Sequence, residues 1–150
     1  MLRKILCLML ALWISPAGAE PLQTQYHSNG SEASALKASI SNQVLTVVIR
    51  YNNTSGAEMR ESYPIEEVYY IDPGENKKYH VLKDENGKWI ANPVSNHGRI
   101  GVVGRDWDMK IKADAKAVVW FKFPEPASGA NTINLVIPNL TPFDGLPIKR

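Results

Sequence analysis

The residues able to do chemistry are few and scattered. Nucleophilic catalysis needs a serine or cysteine within reach of a histidine base. Ser95-Asn96-His97 sets a serine near a histidine in sequence only, and no Gly-x-Ser-x-Gly elbow is present. That stretch reads as a polar loop. A metal would draw on His27, His80, His97, Met59 and Met109, yet no histidines are spaced as His-x-x-x-His. Asp84-Glu85-Asn86-Gly87 does not build an EF-hand, because the first and last ligand positions would fall on Leu82 and Pro93. Asp106-Trp107-Asp108 sets two carboxylates on one side of an extended loop, which solvated loop charges explain equally well. Glu66 and Glu67, read as strand neighbours, point to opposite faces and form no glycosidase dyad. No enzyme, cofactor or metal site is expected.

The aromatic residues are more informative. Tyrosine and tryptophan anchor protein interfaces and offer flat faces for stacking. Trp107 lies between Arg105, Asp106 and Asp108 and is the best surface candidate. We therefore take Arg105, Trp107 and Asp108, with Trp89 and Tyr79, as candidate partner-contact residues. Trp89 and Trp107 would also serve as stacking rings in a carbohydrate-binding module. Trp120 is expected to plug the core.

These side chains must be positioned by an exported domain. Arg3 and Lys4 precede the apolar run Ile5–Ile14, and Pro16-Ala17-Gly18-Ala19 ends it in small residues. A spanning helix needs about 20 apolar residues, so residues 1–19 read as a cleaved signal peptide. Cleavage removes the one cysteine, Cys7, and with it any disulfide. Removing Arg3 and Lys4 from the 17 basic residues leaves 15, equal to the 15 acidic ones. Such balance argues against nucleic acid or an anionic membrane as the main partner. The expected address is the periplasm or the exterior, with no membrane insertion after cleavage.

Residues 20–33 are polar and read as a flexible lead-in; residues 34–150 read as strands. Leu36, Ala38 and Ile40 alternate with polar neighbours, and Asn42-Gln43 turns the chain into Val44–Tyr51, where Leu45, Val47, Ile49 and Tyr51 share a face. Further strands are expected at Ile65–Ile71, Lys78–Lys83, Lys88–Ala91, Arg99–Val103, Ala115–Phe123 and Thr132–Ile137. Asp72-Pro73-Gly74 and Asp84-Glu85-Asn86-Gly87 mark turns. Lysines flank the strand 78–83 as at a protected sheet edge, although such an edge also suits pairing with a partner strand. Short strands without helical stripes imply an all-β, single antiparallel sandwich of immunoglobulin-like size.

Three stretches then acquire meaning together: Tyr70-Ile71-Asp72-Pro73 through Gly87, the run Val119-Trp120-Phe121-Lys122-Phe123-Pro124, and the tail Val136–Ile148. Their layout resembles the small immunoglobulin-like domains of exported bacterial proteins, in which a strand ending in Phe-Pro precedes a last strand and a Pro-Phe…Pro-Ile tail. The resemblance covers residues 44–148 and implies the fold and the address; it assigns no catalytic residue. The expected function is non-enzymatic binding of another envelope or secreted protein, as an inhibitor, neutralising partner or accessory subunit. A carbohydrate-binding module of the envelope is the alternative.

Overall fold

A computed structural model describes residues 20–95, 97–101 and 109–150; the signal-peptide reading of 1–19 lies outside them. The described residues form antiparallel β-structure with no α-helix. In chain order the strands are β1 (Gln23–Tyr26), β2 (Glu32–Ser41), β3 (Val44–Asn52), β4 (Met59–Glu61), β5 (Tyr63–Pro64), β6 (Tyr69–Asp72) and β7 (Lys77–His80). They continue with β8 (Ala91–Asn92), β9 (Arg99–Ile100), β10 (Met109–Ile111), β11 (Lys116–Pro124), β12 (Thr132–Val136) and β13 (Phe143–Pro147). One sheet runs β1-β2-β3-β11-β8 and a second β13-β12-β6-β7; β4 with β10 and β5 with β9 make two short ribbons.

The β2–β3 hairpin turns on Asn42 and Gln43, whose φ angles of 50° and 62° are those of a two-residue turn matched to strand twist. β3 alternates strictly, so Leu45, Val47, Ile49 and Tyr51 are fully buried and the intervening residues face outward. β11 pairs with β3 over its whole length, from Lys116 opposite Asn52 to Pro124 opposite Val44. Val119, Phe121 and Phe123 are thereby added to the same buried face. The second sheet closes over it: Tyr70 meets Phe123 edge-on at 5.5 Å, and its hydroxyl donates to the Pro124 carbonyl at 2.8 Å. The result is a β-sandwich-like pair of sheets around one apolar core.

Several expectations are corrected. The segment 20–33 is not a loose lead-in throughout: β1 lies within it and pairs with β2, Gln23 opposite Ala35 to Tyr26 opposite Glu32. Composition missed this because β1 presents polar residues on both sides of an edge. Within β2 the register shifts between Ala35 and Lys37, so Leu36 is the extra residue of a bulge and does not share a face with Ala38. Residues 65–67 form a 3-10 turn, not strand, after the extended Pro64; the backbone N–H of buried Ile65 donates to the Gly98 carbonyl. The expected strand 78–83 ends at His80, where the chain crosses to the first sheet and the Leu82 N–H donates to the Lys122 carbonyl. Residues 102–103 of the expected strand 99–103 lie outside the described residues.

Two segments far apart in sequence cover the outer edge of β2. β1 lies along residues 32–35, and beyond the bulge Lys149 exchanges backbone hydrogen bonds with Ala38 and Ile40, both 2.8 Å.

Candidate binding surfaces

The alternation that buries one face of the first sheet fixes what the other face shows. Register places its outward side chains in rows. Tyr26, Glu32, Asn52 and Lys116 lie side by side, followed by Thr24, Ser34, Arg50 and Val118. Beyond the bulge come Lys37, Val48, Trp120 and Asn92, then Ser39, Thr46 and Lys122. Thr24 and Ser34 join their hydroxyls across the strands at 2.9 Å. Trp120 is therefore not a core plug. It stands half-buried in the middle of the outer face.

Among the described residues the exposed large apolar side chains are Tyr26 at 63%, Val118 at 48% and Leu22 at 43%. Tyr26 and Val118 both project from this face. Leu22 borders it, sharing with Leu36, Lys37 and Ile40 a groove of about 450 Å³ at the β2 bulge. Isolated exposed apolar residues mean nothing on their own; their collection on one face does.

Trp89 lies elsewhere. It is half-buried in a cleft of about 650 Å³ shared with Glu66, Lys83, Asn92, Ser95 and His97. The Lys83 ammonium lies 4.1 Å from the centroid of its ring, an attraction of cation to π-face. Gly98, at φ 69°, lets the backbone approach the indole, since a Cβ there would come within 3.2 Å of Nε1. Tyr79, on the terminal strand β7, stacks on Tyr70 at 5.1 Å, with the Lys77 ammonium 5.0 Å from its ring centroid. Lys78 lies similarly over Tyr69 at 4.2 Å. β7 is thus a four-residue edge whose two lysines fold over rings of β7 and β6, the form that discourages strand addition. Trp89 and Tyr79 belong to separate neighbourhoods, and Arg105, Trp107 and Asp108 lie outside the described residues.

Sequence reasoning passed over the buried polar groups. His27 is 8% exposed and Glu61 only 1%; His27 Nε2 lies 2.9 Å from Glu61 Oε1, which also accepts from Asn139 Nδ2 at 3.2 Å. His27 Nδ1 lies 3.1 Å from the Asn29 backbone N–H and 2.7 Å from Asn29 Oδ1. Glu61 Oε2 has no partner, and burial pushes the carboxyl above its ordinary pKa against the lowering pull of His27 and Asn139. Tyr51 and Tyr63 join hydroxyls nearby at 3.0 Å; burial raises both phenols well above the usual range, Tyr51 further still through the neighbouring Tyr63 and Glu61.

Asn53 is fully buried. Its amide nitrogen reaches the carbonyls of Ala57, Ile111 and Lys112 at 2.7–3.0 Å, and its oxygen accepts from Ser31 and Ser55. Both ring nitrogens of His27 are engaged inside the protein, and the Ser31 and Ser55 hydroxyls donate to Asn53 and not to His27. The histidines are dispersed: His80 Nδ1 bonds the Glu66 carbonyl, and among the described residues no three His, Cys, Asp or Glu side chains are grouped to hold a metal ion.

No protein-family model, curated protein or solved structure matches the chain.

Proposed function

We propose that this chain is an exported, non-enzymatic binding protein built on an immunoglobulin-like sandwich, and that it works by protein–protein contact through the outer face of its five-stranded sheet. The observation that carries the reading is the collection of Tyr26, Val118 and half-buried Trp120 on one face, ringed by Arg50, Lys122 and hydroxyl side chains. Aromatic and arginine anchors within a polar rim are the composition of protein interfaces. The apolar run at residues 5–14 and the small residues before Glu20 support the periplasmic or secreted address.

The test is affinity capture from the envelope fraction of the source cell, using tagged protein and its Val118→Glu and Trp120→Ala variants. We expect one stoichiometric protein that survives moderate salt and is lost with both variants; equal capture by all three rejects the face. A second reading, a glycan site, is favoured by the Trp89 cleft with its polar lining. Calorimetric titration against peptidoglycan fragments and common glycans reads it directly, and flat traces across the panel dismiss it.

A further inference from the structure

The charges on the proposed face say what kind of partner it takes. Four cations, Lys37, Arg50, Lys116 and Lys122, share it with a single acid, Glu32, although beyond residue 19 the chain carries equal numbers of basic and acidic residues. Exposed Glu66 and Glu67 lie in the 3-10 turn, and Glu75 in the connection between β6 and β7 of the second sheet. Among the described residues no ion pair involves the four cations; those present join His27 to Glu61, Arg60 to Glu58 and Arg150 to Glu125. Arg50 keeps its Nε buried with no hydrogen-bond acceptor.

Resting on the binding reading above, we infer that the partner presents an acidic protein surface with an apolar centre, its carboxylates meeting Lys37, Arg50 and Lys122 around Trp120 and Val118. A second copy of the chain does not suit this face, because self-pairing opposes its four cations to one another. A lipid surface suits it less than a protein does. Thr24, Ser34, Ser39, Thr46, Asn52 and Asn92 would lose water against acyl chains with nothing to replace it, whereas a protein returns hydrogen bonds to them. Charge complementarity of this kind sets specificity and association rate and weakens as salt rises.

The experiment selects displayed random peptides on the immobilised exported protein, then measures the enriched peptides against Val118→Glu, Tyr26→Ala and the double variant Lys37→Glu/Lys122→Glu. Matched thermal melts confirm that each variant is folded, and flotation with phosphatidylglycerol vesicles runs in parallel. The inference requires enriched peptides that carry Asp or Glu around an apolar residue, are lost with Val118→Glu, and bind the double variant about tenfold more weakly. Uncharged peptides lost with Val118→Glu but indifferent to charge reversal overturn the acidic partner and leave the binding face standing. Peptides indifferent to Val118→Glu and Tyr26→Ala overturn both. Vesicle binding that depends on Val118, without enriched peptides, replaces the protein partner by an anionic membrane, and an empty result in both arms overturns both readings.

Discussion

Two regions of this molecule treat their misfit residues in opposite ways. Where β4, β1 and the 139–141 segment meet, polar groups are buried: His27 on Glu61, Tyr51 on Tyr63, Asn53 on three carbonyls. On the outer face of the first sheet apolar groups are left in water, with Tyr26 and Val118, and Leu22 at its border, all more than 40% exposed. The first arrangement removes polar atoms from solvent and gives them partners, which fixes how strands and loops meet. The second leaves apolar area exposed, and that is the area the proposed binding would use. Under that proposal, buried polarity serves stability and exposed apolarity serves function.

That contrast can be broken by substitution. Asn53→Ala should give the largest loss of stability, about 3 kcal/mol, since it strands buried acceptors of two segments at once; chemical denaturation reads it. A loss under about 1 kcal/mol would mean that the network is ornamental.

The pH dependences at Glu61 and Asp72 should run in opposite directions. The Glu61 carboxyl is raised above its ordinary value of 4.5, so the native state holds its proton longer than the unfolded chain does. Its contribution therefore declines as pH rises from about 4.5 through the native pKa. Glu61→Gln removes that decline, and its melting temperature should gain on the wild type between pH 4.5 and 8. Asp72 behaves inversely. Burial opposes its charge, but the Ser128 hydroxyl at 2.6 Å with the Ser128 and Gly74 N–H groups outweighs it and lowers the pKa below 3.8. That stabilisation is present above about pH 4 and is lost as pH falls through the native pKa. Asp72→Asn should lower the melting temperature at pH 7 and match the wild type near pH 2. A constant difference across that range would contradict the assignment.

The smallest stability effect belongs to the face itself. Val118→Glu should change folding stability by no more than about 0.5 kcal/mol while removing partner binding. A large stability loss would mean that Val118 is packed in the free protein.

The sequence announces the parts governed by alternation. In β3 and β11 a period of two over nine residues is its own signal, and the face of Leu45, Val47, Ile49 and Tyr51 read from the residues is the buried one. Trp120 does not plug the core as expected, because the same alternation sets it outward with Val118 and Lys122. What alternation does not govern stays hidden. β1 is polar on both sides and becomes a strand only because β2 offers an edge. The bulge at Leu36 shifts register without any glycine to mark it. β4 and β10 are three residues each, too short to show a period. The His27–Glu61 pair joins residues 34 positions apart and is invisible until the fold brings β4 beside the end of β1. Asn53 carries no signal in the sequence, and only its burial shows that it is a structural node.

The most direct measurement places a photo-crosslinking amino acid at Val118, with exposed Glu85 in the 84–87 turn as the control position, in the full chain expressed in its own cell. The account predicts a discrete protein adduct from Val118, mapping to an acidic segment of the partner, and none from Glu85. Adducts from Glu85 with none from Val118, or no adduct from Val118 at all, would contradict it.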